Sequence, residues 1–535
     1  MAQAGAHSER YDVVVVGAGH NGLVCAAYLA RGGLSVKVLE RRAQVGGAAV
    51  TEEFHPGFRN SVASYAVGLL NRQVVEDLDL FGHGLELRQW EMSNFLPLED
   101  GDFLKSYPDM ERTRQQIARI SSRDAEQLAD YEATIGRLAD VLRGFLMETP
   151  PNSGGGLRDL WGLLRAGRRL HHLDLETQQD LADIMVMSAV DFLGRWFETD
   201  AVKSLFAYDG IIGTFASPYS PGTAYVLLHH CFGDIMPEPG AWGHAVGGMG
   251  AVTQAMAKAA EAAGVVIETG AAVAEVEVSG KHTNGVRLAD GRLIGARAVA
   301  ANVNPKLLFL DLLAKDNVEP AFRRRMANWR CKSGTLRMNV ALSELPDFTC
   351  LPGNDMAEHH QGGIIIGPST RYLDDAYADA MRFGWSRRPF VELVIPSTID
   401  PSLAPKGQHV ASMFCQQFDP DLPDGQNWDQ VREQAADDAV EAVTAFAPNF
   451  RDSIIARQIL TPLDLEREFG LIGGDIFHGT LDLNQLYSLR PTLGHADYRM
   501  PIQGLYLCGS GAHPGGGVTG IPGHNAAREI IRDIG

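Results

Sequence analysis

Three glycines, Gly17, Gly19 and Gly22, are spaced to let a chain turn tightly, bring its backbone against a pyrophosphate and pack a helix closely on a strand. About twenty residues further on, Glu40 stands where a carboxylate can accept hydrogen bonds from an adenosine ribose. A basic turn follows, with Arg41 and Arg42 ahead of the pair Gly46 and Gly47. Either arginine could serve a ribose phosphate, but Glu40 would repel that group, so a plain dinucleotide fits better. At the far end of the chain a second glycine-dense loop holds Gly509, Gly516, Gly517 and Val518 and leads into a helix. Exposed N–H groups at a helix start stabilise negative charge, which is what a flavin acquires around its N1 and C2 carbonyl on reduction. Either loop alone is a weak signal. Together they imply a flavin, held by a domain that begins near one end of the chain and is completed near the other.

Few side chains are then needed for the chemistry, because the cofactor carries the difficult step. His478, His513 and His524 lie near the glycine-rich elements and are the titratable candidates for proton relay, His478 and His513 foremost. Each could equally cap a turn or a helix. His229, His230 and His244 have no acid or cysteine at ligand spacing, so no metal site is expected. The six cysteines lie far apart with no C-x-x-C pair, which fits buried thiols in a reducing, cytoplasmic setting.

The elements that must position these residues follow from periodicity. A strand at 11–16, a helix at 23–31 and a strand at 35–39 ending at Glu40 make a βαβ unit. Residues 72–181 have mainly helical periodicity, broken by the proline- and glycine-rich stretch 150–156. Residues 157–173 interleave Arg158, Arg165, Arg168, Arg169, His171 and His172 with leucines and Trp161. Such a helix is a solvated basic surface, a peripheral membrane contact or a gate to an apolar substrate channel. Gly247 to Gly250 open a helix to 263, followed by a strand at 265–268 and an antiparallel meander through 300. Strands of another sheet are expected at 335–342, 363–366, 390–395 and 409–415, with helices at 321–326 and 428–447.

The expected architecture is therefore α/β, with a discontinuous Rossmann-type FAD-binding domain, a mixed-sheet substrate domain and a helical insert. The first takes residues 1–71, 240–305 and 490–535, the insert 72–239, and the substrate domain 306–489. A chain of 535 residues exceeds one compact core. Its net charge of -19 disfavours a nucleic-acid partner, which needs a basic footprint. Residues 1–10 have no apolar stretch of a secretory signal, and no window reaches the length of a membrane-spanning helix.

Four stretches carry a family likeness: 395–405, 461–470, the run Gly473-Gly474-Asp475-Ile476-Phe477-His478, and 504–525. By these the chain resembles the phytoene desaturase-like flavoproteins of the amine-oxidase-type superfamily, in particular the branch called pyridine nucleotide-disulfide oxidoreductase domain-containing protein 2. The resemblance implies noncovalent FAD, its ADP half held by Gly17, Gly19, Gly22, Glu40, Arg41 and Gly47, with Val273 near the adenine. Gly509, Gly516, Gly517 and Val518 would approach the flavin. It implies hydride transfer to flavin N5 from a largely apolar, isoprenoid or polyene-like small molecule. Two alternatives stay open. An amine-oxidase-like oxidase would bring a lysine from the strand at 335–342, which here carries Arg337, with Lys332 just before it. A flavoprotein whose main role is binding or regulation is the other. The disulfide chemistry in the branch name finds no paired redox cysteines in this sequence.

Overall fold

A computed structural model describes residues 9–353 and 355–535. Most of the segment 1–10, read above for a secretory signal, lies outside the described residues. Two seven-stranded sheets organise the chain. In the first, Glu9–Val16 lies between Val36–Leu39 and Leu293–Ala301 in parallel register, and Leu505–Leu507 adds itself, also parallel, to the far side of Leu293–Ala301. Val266–Glu268 extends it beyond Val36–Leu39, and the meander of Val273–Ser279 and His282–Leu288 closes the other edge. Strands from three distant parts of the sequence thus complete one sheet. Val13, Val14 and Val15 have no solvent exposure, as expected of a strand covered on both faces.

Helices flank this sheet. His20–Arg31 packs against both the terminal helix Ile521–Ile534 and Met249–Ala262. The contacts are close because of glycine. A Cβ on Gly523 would lie 2.1 Å from the carbonyl oxygen of Asn21, and one on Gly22 would lie 2.1 Å from that of Gly17.

The second sheet runs in the order Ile454–Leu460, Thr335–Leu342, His409–Phe418, Trp385–Val394, Gly363–Ile366, Asn94–Pro97, Phe103–Ser106. All neighbours are antiparallel except Gly363–Ile366 with Asn94–Pro97, which makes the sheet mixed. The last two strands correct the expected boundaries, because they come from the stretch 72–239 read as a helical insert. Short β segments such as Asn-Phe-Leu-Pro carry too few residues for a period to register, and their partners are distant in sequence. Leu87–Gln89 is a further strand of that stretch, paired with Gly243–Ala245, and the rest is mainly helical, led by Ser122–Leu146 and Leu157–His171. Among the described residues no helix is long and apolar enough to cross a membrane.

Candidate functional site

A cavity of about 750 Å³ runs between the two sheets. One end is the cradle of Gly17, Gly19, Glu40, Gly47 and Val273; the other is a chamber walled by Tyr65, Tyr131, Tyr208 and Phe414.

At the cradle, Gly17 adopts φ +96° directly after the first strand, a conformation that disfavours any side chain. Gly19 and Gly47 face each other, and a Cβ on Gly47 would lie 3.1 Å from the Cα of Gly19. Glu40 is buried, and both its oxygens are engaged. Oε2 accepts from the N–H of Ala18 at 2.9 Å and Oε1 from that of Arg42 at 2.9 Å. The acid therefore fixes the loop as well as presenting a carboxylate to the cavity wall. Arg41 also lines the cavity, with its guanidinium donating to the carbonyls of Arg467 and Glu468 at the end of helix Pro462–Phe469. Those carbonyls are the unsatisfied acceptors of a helix C-terminus.

Asn302 is a residue that spacing did not single out. It follows the strand Leu293–Ala301, and its Nδ2 donates to the Gly17 carbonyl at 3.2 Å. A Cβ placed on Gly17, Gly19, Gly22 or Gly509 would meet Asn302 first or within the nearest three atoms. One residue, through its backbone at Gly17 and its side chain at Gly19, Gly22 and Gly509, thus crowds four glycines from distant parts of the sequence. Only the register of the sheet, which sets Asn302 between the two loops, makes this visible.

The terminal loop divides into two parts. Gly517 and Val518 line the cavity, and among the described residues their N–H groups take no backbone partner. Gly509 and Gly516 do not line it: a Cβ on Gly509 would lie 2.8 Å from Asn302 Oδ1, and one on Gly516 would lie 2.3 Å from the Phe477 ring. They allow close packing behind the loop, as Gly22 does behind the first. A buried polar atom without a partner, Nδ1 of His478, belongs to a residue that lines the same stretch of cavity. N–H groups without a backbone partner, paired glycines and an orphaned imidazole nitrogen along one cavity fit an elongated dinucleotide.

The two histidine candidates separate. Burial pushes the His478 imidazole down to about 4, with His20 and Arg490 adding to the effect, so it is neutral near pH 7. It can hydrogen-bond there but does not carry a proton as a cation. His513 is not brought to the cavity. Its Nε2 lies 3.1 Å from the Phe145 carbonyl and its ring meets the edge of Tyr487, pinning the terminal loop to helix Ser122–Leu146. Its place is in the packing rather than beside reacting atoms.

The chamber contains ionisable groups that motif and spacing do not reveal. Glu132, Asp209 and Glu392 all line it. Burial pushes the Glu132 and Glu392 carboxyls up to about 7. Burial, with Glu392 nearby, holds Asp209 well above the usual carboxylate range. The Tyr65 hydroxyl donates to Glu392 Oε2, and the Tyr208 hydroxyl donates to Asn94 Oδ1 at 3.0 Å. Behind them Arg337, fully buried, stacks over the Tyr65 ring at 4.5 Å and bonds Ser412 Oγ through Nη2, while Nε and Nη1 have no partner. Lys332 is elsewhere, paired with Asp419 at 2.8 Å. The strand that could have offered an amine offers a guanidinium one ring removed from the cavity.

Tertiary structure also brings two cysteines together. Cys25 and Cys508 come within hydrogen-bonding reach, and that contact and burial hold the Cys25 thiol well above its ordinary range. Both side chains are fully buried in the core, so the pair is part of the packing. Among the described residues no group of three or more His, Cys, Asp or Glu is arranged to hold a metal ion.

Comparison with known proteins agrees with this geometry. A family profile described as NAD(P)-binding Rossmann-like domain matches residues 15–76, the segment holding the first strand, the cradle glycines and Glu40. The chain is 28% identical to a phytoene desaturase (lycopene-forming) of Pseudescherichia vulneris, over 95% of this chain and 96% of the relative. It is 26% identical to one of the subunits of the limonene dehydrogenase of Castellaniella defragrans, over 98% and 95%. Among solved structures, putrescine oxidase bound to putrescine superposes with a TM-score of 0.61 at 15% identity, over 98% of this chain and 99% of that one, a likeness of fold. Pyridine nucleotide-disulfide oxidoreductase domain-containing protein 2 of Rattus norvegicus is 41% identical over 98% of this chain and 94% of its own length. At that identity and coverage the chain belongs to the pyridine nucleotide-disulfide oxidoreductase domain-containing protein 2 family of oxidoreductases.

Proposed function

We propose that this chain is an FAD-dependent dehydrogenase or desaturase acting on a largely apolar small molecule of isoprenoid or polyene type. The observation that carries the proposal is the continuity of the cavity, from a glycine cradle to an aromatic chamber, with Gly517, Val518 and His478 at the junction. Bound there, FAD would supply a two-electron acceptor for a C–H hydride. Gly17, Gly19, Glu40 and Gly47 would hold the adenosine and pyrophosphate end. The N–H groups of Gly517 and Val518 would stabilise negative charge at the reactive end. Tyr65, Tyr131, Tyr208 and Phe414 would exclude water and hold an apolar chain in line. Relatives named for phytoene and limonene, both hydrocarbons, support this substrate class.

A second reading is favoured by one specific feature, the three carboxyls of the chamber. An amine entering as a cation would draw Glu132, Asp209 and Glu392 into their charged forms and be held between aromatic faces. One panel of polyenes, terpenes and amines separates the two readings. Purified protein is expected to be yellow and to release FAD on denaturation; a colourless protein that cannot be reconstituted would overturn both. Anaerobic bleaching by polyenes or terpenes but not by amines supports the dehydrogenase. Bleaching by amines that is lost in Glu392→Gln, with polyenes inert, replaces it with the oxidase.

A further inference from the structure

The helix Leu157–His171 is amphipathic in the wrong direction for a surface helix of a globular protein. It has no buried residue. Its half-buried positions, Asp159, Gly162, Ala166 and Leu170, form the stripe that faces the rest of the molecule. Leu157, Leu160, Trp161 and Leu164 are 77%, 52%, 68% and 56% exposed. At about 100° per residue these four centre roughly 165° away from that stripe, so the apolar face looks into solvent. An ordinary surface helix buries its apolar stripe and exposes its polar one.

Its attachment to the protein is polar. Arg158 pairs with the buried Glu529 at 2.8 Å, and Arg169 donates to the Gly144 carbonyl at 2.8 Å. These contacts tie the helix down, leaving Arg165 on the flank of the apolar face and Arg168 on that face one turn beyond Leu164. Among the described residues neither is paired with a carboxylate, although the chain has a net charge of -19. With a screening length of about 10 Å, this local patch rather than the distant net charge governs what the face meets. The helix also sits at the end of Ser122–Leu146, which earlier in its course contributes Tyr131, Ile135 and Arg143 to the cavity wall.

We propose that this helix is a docking surface for an anionic lipid membrane. Leu157, Leu160, Trp161 and Leu164 sink into the boundary between headgroups and acyl chains, and Arg165 and Arg168 lie among anionic headgroups. A lipid surface is favoured over a protein groove by the combination of a single convex helix, a leucine and tryptophan face, and a cationic flank with no carboxylate partner of its own. The position beside the cavity-walling helix would let an apolar substrate pass from lipid to chamber. Docking itself does not depend on the reaction proposed above.

The test is flotation of the full chain with vesicles of phosphatidylcholine mixed with phosphatidylglycerol, against vesicles of phosphatidylcholine alone. The wild type is expected to float with the mixed vesicles, to be released by salt, and to float poorly with the neutral ones. Arg165→Gln/Arg168→Gln should weaken binding to mixed vesicles roughly 30-fold, from about fivefold for each cationic side chain near an anionic surface. Leu160→Ser/Leu164→Ser should weaken it by about 100-fold or more on both, from the transfer of two leucines. These side chains are exposed, so both variants should keep the wild-type circular dichroism and melting temperature, which checks folding independently of turnover. Absence of wild-type flotation, or equal flotation of wild type and the leucine variant, would overturn the proposal. So would a dimer in size-exclusion chromatography that only the leucine variant dissolves, since the face would then belong to a second copy of this chain.

Discussion

The two ends of the cavity are built from different materials. The cradle is made of backbone: glycines, N–H groups and one acid whose oxygens are both occupied by the loop it supports. The chamber is made of side chains, among them three carboxyls held in a largely apolar wall, with the guanidinium of Arg337 buried behind it. A diphosphate offers the same charge and the same acceptor oxygens whatever it carries, so backbone N–H groups and glycines suffice to hold one. A substrate site must discriminate, and buried ionisable groups do so by being costly to leave unmatched.

The cradle should therefore fail through sterics. Gly22→Val places a side chain against the Gly17 carbonyl, 2.1 Å from where its Cβ begins, and is expected to abolish FAD loading and to destabilise the protein by about 3 kcal/mol or more. Flavin absorbance of the purified protein and its melting temperature measure both, and normal loading would remove the cradle from the contrast. Glu40→Ala comes next. It orphans the buried N–H of Ala18 and the half-buried N–H of Arg42, at about 3 kcal/mol for the two, and should lower FAD affinity at least about tenfold by equilibrium titration.

The chamber should fail through charge. A carboxyl raised from 4.5 to about 7 on folding is protonated in both states at low pH and so contributes nothing there. As pH rises from about 4.5 through 7 the unfolded state loses its proton first, and stability falls by up to about 3 kcal/mol, a cost that persists above 7. Glu392→Gln should flatten that part of the stability–pH curve in urea titrations, and a curve parallel to the wild type would mean Glu392 is not the group responsible. The smallest effect belongs to His513→Gln. Its contact with the Phe145 carbonyl is expected to be worth about 1 kcal/mol, with turnover changed less than about threefold once a substrate is found. A large loss of turnover with stability intact would return His513 to the reacting atoms.

The same division explains what was legible from the chain. Gly17, Gly19, Glu40 and Gly47 could be read because backbone-built sites need fixed residue types at fixed spacing. The terminal loop was found for the same reason, although Gly509 and Gly516 turn out to make room for Asn302 and Phe477. Tyr65, Glu132, Asp209, Arg337 and Glu392 come from five separate segments, and nothing local distinguishes them from surface residues of the same types. His478 and His513 looked alike as neighbours of glycine-rich runs. Only the cavity separated them.

By itself, then, the sequence determined the βαβ cradle, the completion of the first sheet from the far end of the chain, and the redox character of what it would hold. Tertiary structure alone decided that Asn94–Pro97 and Phe103–Ser106 join the second sheet, that Asn302 is the common neighbour of the glycines, and that three carboxyls share one chamber. It also decided which way the helix Leu157–His171 turns its leucines. The physical reason is range. Periodicity and turn chemistry act between residues a few positions apart, whereas burial, pairing and charge coupling depend on which distant segments the sheets bring into contact.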